Sequence, residues 1–414
     1  MRPSLCLLAL TALLLPACGS SDDSGGGGSG GSGGSAASGG AAGTGGSAGV
    51  AGAGGTAASG GSAGTGGSGG TPQVTLGEPI EIPSEQHGEW VWIEMPEMKC
   101  SDGTTGGFAV NFIEDRSELV IYLQGGGICY DALTCSAGGA PSTVGADPLR
   151  TALDGSIREH RGIFDRDDPN NPLRGSNFVV VPHCTGDHHT GNQVSTYGAK
   201  DYHHVGYTNM TRVLERAVPT FQGASRVVLS GFSAGGVGIT ANYHQLATAF
   251  ESVGQSPPYL VIDSGPFMRP DYLSPAAREK LRESWGLDGT VGSFCPTCFT
   301  EGFHDLYRRN AELHPGLRSS LLCNTRDSVV VTLYTVLNLG STSFSAAKME
   351  EGMNDLADYQ ASIAAEFAPG AHRVFYVDGT EHGLLNIKPI SGSPGLSEFL
   401  TAQLGTGDWQ SVRP

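Results

Sequence analysis

Five short apolar runs, each stopping at a glycine or a polar turn, constrain this chain more than any other feature. They occupy residues 119–123, running into Gln124 and three glycines; 178–181, before Pro182 and His183; 226–230, before Gly231; 259–262, before Asp263; and 373–377, before Asp378. Unbroken runs rich in Val, Ile and Leu mark strands with both faces covered, since alternation is needed only when one face meets water. Amphipathic stretches lie between them, at residues 210–221, 237–253, 275–285 and 346–367. This alternation predicts an α/β fold with a mostly parallel, doubly wound sheet and helices on both faces.

The first 72 residues obey a different rule. Arg2 precedes an apolar stretch at residues 5–15, followed by Leu15-Pro16-Ala17-Cys18. The stretch is too short to span a bilayer as a mature helix and ends near a small residue, as export signals do. Residues 1–18 resemble a bacterial lipoprotein signal, which makes Cys18 the expected lipidation site. Diacylation there would give stable attachment. From 19 to 72 the chain is almost only Gly, Ser, Ala and Thr. Nothing in it can bury apolar area, so a flexible tether is expected. The globular domain is then 73–414, exported and lipid-anchored to the bacterial cell envelope, at the surface or facing the periplasm. The anchor is its only expected membrane contact, and a monomer is expected.

Charge narrows the partners. With 24 basic against 41 acidic residues the net charge is −17, and such a surface repels nucleic acid. Export also bears on the cysteines. Beyond Cys18 there are seven, Cys100, Cys129, Cys135, Cys184, Cys295, Cys298 and Cys323. An oxidising compartment favours disulfides, and an odd count leaves at least one thiol unpaired. Cys129 with Cys135 is the preferred local pair. Cys295-Pro296-Thr297-Cys298 looks like half a zinc site, but no second Cys-x-x-Cys completes it.

Gly231-Phe232-Ser233-Ala234-Gly235 fits the pattern G-x-S-x-G. The tether fits it repeatedly by chance, so context decides: only Ser233 follows a strand-like run and precedes a helix-like one. A serine on such a strained turn projects its hydroxyl above the sheet, and the glycines let backbones cross closely. Gly125-Gly126-Gly127 follows an earlier strand. Amides of these glycines, with that of Ala234, are candidate donors to a tetrahedral oxyanion. The expected chain order is then Ser, acid, His. His382 follows the last strand and is the candidate base; His244 falls mid-helix, and His372 precedes its strand. Asp327 is the preferred acid, positioned after Leu321-Leu322, although the same residue suits a helix N-terminus before Val329. Asp263 is the alternative, one strand early.

The segment His183-Cys184-Thr185-Gly186-Asp187-His188-His189 is rich in metal-ligand types. A zinc-dependent hydrolase built on His183 to His189 is therefore one rival reading. A non-catalytic glycan-binding lipoprotein is another. Because Ser233 makes a metal unnecessary, the segment is read as substrate wall, with Ile128, Asp187 and His188 lining the pocket and no metal expected.

At these residues the chain resembles the pectin acetylesterase family, which includes Notum-type carboxylesterases. The matching pieces are Tyr122 to Cys129, Val181 to Asp187, Gly231 to Gly236, Asp327 and His382, together covering most of the globular part. The resemblance implies an α/β-hydrolase fold and cofactor-free ester hydrolysis. It places the nucleophile on Ser233, the acid on Asp327, the base on His382, and the oxyanion donors on Gly126, Gly127 and Ala234. The expected substrate is an acetyl or other short acyl ester, carried on a polysaccharide. The expected pocket sits at the carboxyl ends of the strands, roofed by the Cys-rich segment from Cys295 to Cys323.

Overall fold

The computed structural model describes residues 74–137, 139–338, 344–367, 371–405 and 408–414. The expected signal at 1–18, with Cys18, and the expected tether at 19–72 lie outside the described residues.

Among the described residues ten strands are formed: β1 (Trp90–Lys99), β2 (Thr105–Asn111), β3 (Glu118–Leu123), β4 (Asn177–Val181), β5 (Gln193–Tyr197), β6 (Lys200–His204), β7 (Arg226–Phe232), β8 (Tyr259–Asp263), β9 (Ser319–Asn324) and β10 (His372–Val377). Eight make one sheet in the order β1-β2-β4-β3-β7-β8-β9-β10, and β5 with β6 forms a separate hairpin. From β4 to β10 every pairing is parallel, while β1 and β2 join antiparallel at one edge.

Side chains of a strand point alternately to opposite faces, and the core divides along that alternation. Leu119, Ile121 and Leu123 of β3 join one apolar cluster, with Val227 and Leu229 of β7 and Leu260 and Ile262 of β8. Val120 and Tyr122 join a second, with Val228 and Val261. The helices Gly206–Thr220, Ala234–Glu251 and Ala346–Phe367 cover the first face through residues such as Leu214, Phe250 and Met353. The helix Leu396–Leu404 covers the second through Leu396, Phe399 and Leu400. Burying one such side chain stabilises by roughly 1.5–3 kcal/mol. The doubly wound architecture thus follows from runs that place apolar side chains on both faces.

The parallel strands all deliver their carboxyl ends to one edge of the sheet. Gln124 follows β3, Ser233 follows β7, Ser264 follows β8, and the loops carrying Asp327 and His382 follow β9 and β10. Ligand sites of open α/β sheets form at that edge.

Candidate active site

Ser233 links β7 to the helix Ala234–Glu251 with φ 56° and ψ −119°. A non-glycine residue in that region is strained and persists only where its surroundings hold it. Its amide donates to the Asp263 carbonyl at 2.8 Å. A Cβ on Gly231 would lie 2.2 Å from the Gly235 carbonyl oxygen, and one on Gly235 only 1.9 Å from that of Leu123. Both motif glycines are therefore demanded by crossing backbones, and a side chain at either would force the turn open. Ser233 is left half-buried at the sheet edge.

Asp327 divides its carboxylate between two tasks. Oδ1 caps the helix Ser328–Leu337, accepting from the amides of Val329 at 2.9 Å and Val330 at 3.1 Å. Oδ2 accepts from His382 Nδ1 at 2.7 Å. Nδ1 therefore carries the proton, and Nε2 presents its lone pair. The His382 ring packs on Phe232, the neighbour of Ser233, with centroids 4.7 Å apart. Ser233 Oγ is not hydrogen-bonded to His382 in this structure. Such bonds often tighten only once substrate is bound.

Asp263 touches the histidine loop differently. Both carboxylate oxygens accept the Leu384 amide at 3.0 Å, and Oδ2 accepts that of Leu385 at 2.8 Å. Ser264 Oγ donates to Asp263 at 3.1 Å and accepts the Gly383 amide at 3.1 Å. Three successive residues after His382 thus hang from the end of β8. Complete burial pushes the Asp263 carboxyl up to about 6, with the Leu385 and Leu384 amides pulling the other way. Sequence reasoning did not find this clamp, because backbone donors have no residue signature.

Across the site lies the loop 125–127. Within the described chain the amides of Gly126 and Gly127 donate no hydrogen bond. Ala234 opens its helix, where amides have no partner one turn earlier. The loop is buttressed from below: His189 Nε2 donates to the Gln124 carbonyl at 2.9 Å. A Cβ on Gly126 would lie 2.3 Å from His183 Nδ1. His183 Nε2 accepts the His188 amide at 3.2 Å, which leaves Nδ1 buried without a partner. Burial holds His183, His188 and His189 below the usual histidine range, His188 at about 4.

Asp187 is buried, and its carboxylate ties a turn by accepting from Thr185 Oγ1 and the amides of His189, Gly191 and Gly206. The ring nitrogens of His183, His188 and His189 do not converge. Among the described residues the one group with metal-ligand spacing is Cys129, Cys135 and His204, and its two sulfurs are already bonded together.

An apolar cavity is lined in part by the helix that follows Ser233. Val237, one helical turn beyond Ser233, and Ile128, next to Gly127, line it together with Leu281, Trp285, Phe303, Leu333 and Leu337. Of the segment from Cys295 to Cys323, Phe303 and Leu306 line the cavity, while β9 carries Cys323 into the sheet.

Disulfides join Cys129 to Cys135, Cys100 to Cys184, and Cys295 to Cys298. The first is the pair expected from sequence, and the last replaces the half-zinc reading. Cys323 is free and buried. Such bonds belong to oxidising compartments. Among the described residues no helix is long and apolar enough to cross a membrane.

The parallel sheet, its two helical layers and the strand-to-helix turn at Ser233 define an α/β-hydrolase fold. The crystal structure of the Wnt deacylase Notum from Drosophila shares it, with a TM-score of 0.55 at 18% identity over 78% of this chain and 96% of that one. The pectinacetylesterase family model matches residues 89–293, a span that includes Ser233 and stops short of Asp327 and His382. Palmitoleoyl-protein carboxylesterase notum2 of Xenopus laevis is 30% identical over 177 residues, 41% of this chain and 35% of that protein. Its human counterpart NOTUM is 24% identical over 223 residues, 49% of this chain and 43% of that protein. Over that span the chain is similar to the pectinacetylesterase and Notum-like family, and it spans less than half the length of these curated relatives.

Proposed function

We propose that the chain is a serine carboxylesterase. Ser233 Oγ attacks the ester carbonyl as His382 Nε2 takes its proton, and Asp327 steadies the imidazolium through Nδ1. Amides of Gly126, Gly127 and Ala234 receive the oxyanion, where each donor typically lowers the barrier by about 3 kcal/mol. The alcohol leaves with the proton from His382, and water activated by the same nitrogen frees the acid. The observation that carries this reading is Ser233 held at φ 56° next to Phe232, whose ring packs on the His382 imidazole that Asp327 holds at 2.7 Å.

The acyl group enters the cavity of Val237, Ile128 and Trp285. A wall this apolar gains from each methylene buried, by about 0.8 kcal/mol, so acyl chains longer than acetyl are the favoured substrates. The family match supports a second reading, release of acetyl from an acylated polysaccharide. Hydrolysis of p-nitrophenyl esters from acetate to dodecanoate tests both. The first reading expects kcat/KM to rise from acetate to octanoate, and the second a maximum at acetate. Activity that survives Ser233→Ala would overturn both.

Anchoring through Cys18 belongs to the same proposal. Palmitate incorporation that persists in Cys18→Ala would remove it.

A further inference from the structure

The esterase reading leaves one group in the cavity unexplained. Four lining residues carry side-chain polar atoms capable of strong hydrogen bonds, and three of them are occupied. Thr190 Oγ1 donates to the Asp187 carbonyl at 2.7 Å, and Trp285 Nε1 to the Cys129 carbonyl at 2.8 Å; Tyr334 Oη donates to the Pro266 carbonyl at 2.9 Å and accepts the Met268 amide at 3.0 Å. The fourth is His188, only 5% exposed. Among the described residues its ring makes no hydrogen bond. It packs between the rings of Trp285 and His183, with centroids 5.4 and 5.9 Å away. Unlike His183 Nδ1, its nitrogens are not sealed against protein atoms, so they meet the cavity's open space.

This placement is built rather than incidental. His188 has φ 51°, in the left-handed region, and its carbonyl oxygen would lie 2.6 Å from a Cβ on Gly238. Only a glycine on the nucleophile helix lets the segment approach so closely. A buried polar group without a partner costs about 1–3 kcal/mol, and here the vacancy faces the space where the acyl chain would lie.

We infer that His188 is a specificity determinant for acyl groups bearing a hydroxyl on an otherwise apolar chain, the imidazole hydrogen-bonding that hydroxyl. Gly238 lies five residues beyond Ser233 on the helix, about 7 Å along its axis. The hydroxyl recognised therefore sits several bonds from the ester carbonyl, not on the adjacent carbon. Burial keeps the ring neutral above about pH 4, so it offers one donor and one acceptor, matching an alcohol. This rests on the serine esterase reading.

The test compares methyl 7-hydroxyoctanoate with its near-isostere methyl 7-methyloctanoate, and adds methyl 2-hydroxyoctanoate as a positional control. In the wild-type chain kcat/KM should favour the 7-hydroxy ester over the 7-methyl ester by about tenfold, with no such gain for the 2-hydroxy ester. In His188→Leu the ratio should fall to one or below. His188→Asn tolerates the positive φ and keeps a shorter polar head, so it should retain part of the preference. A wild-type ratio at or below one, or a ratio that His188→Leu leaves unchanged, overturns the inference while leaving the esterase reading intact. Absence of turnover on every ester, or turnover that survives Ser233→Ala, removes the esterase reading instead.

Discussion

The ends of β8 and β9 present the same residue type to the same loop, yet use it differently. Asp327, after β9, meets the His382 ring; Asp263, closing β8, meets the backbone of Leu384 and Leu385. Both are fully buried. The difference lies in which donors face the carboxylate: an imidazole that must hold a definite tautomer in one case, amides that only need an anchor in the other. Two buried acids one strand apart are therefore not interchangeable, and residue type alone cannot tell them apart.

The strongest way to break the comparison is the pair Asp327→Asn and Asp263→Asn. An asparagine at 327 still caps the helix but turns an amide group toward His382 and favours the wrong tautomer. Turnover of p-nitrophenyl octanoate should fall by about 10⁴-fold with little change in Tm. Asp263→Asn should cost about 10- to 100-fold, because the loop loosens while the ring keeps its partner. Reversal of that ranking would reassign the acid to Asp263. A smaller effect sharpens the anchor: Ser264→Ala removes the acceptor for Gly383 and should lower kcat a few-fold, about the weight of one neutral hydrogen bond.

The smallest expected effect is on stability against pH. The Asp263 carboxyl, at about 6 when folded, lies above its unfolded value near 4. The folded state thus binds its proton first, and this group's contribution to stability rises as pH falls from about 6 to about 4. His188, His244, His304 and His372, each held at about 4 by burial, act the other way. Their contribution is present above about 6.5, the unfolded value, and is lost as pH falls toward 4. Four groups outweigh one, so Tm should drop between pH 7 and pH 4.5, and drop more steeply in Asp263→Asn. A flat Tm, or a shallower slope in that variant, would contradict the assignment.

The same contrast explains what was legible in the sequence. The β3, β4, β7, β8 and β10 runs were readable because burial on both faces fills consecutive positions with apolar side chains. The edge strands were not: β1 is half-exposed, holds Pro96 and two glutamates and carries a bulge, and β2 begins with two glycines after Thr105. Ser233 was visible because its motif is local and its glycines answer to backbone contacts. His382 and Asp327 were placed by chain order. The four donors that hold the Asp187 carboxylate come from the backbone and one threonine, and residue type alone does not announce them. Cys100 and Cys184, 84 residues apart, meet only through the fold.

The account turns on the Ser233 hydroxyl being activated by His382. Incubation with a fluorophosphonate, followed by intact-mass and peptide mapping, tests this directly. The account predicts one adduct per chain, located on Ser233, forming at least a hundredfold more slowly in His382→Ala. Labelling on another residue, or labelling of Ser233 at the same rate without His382, would contradict it.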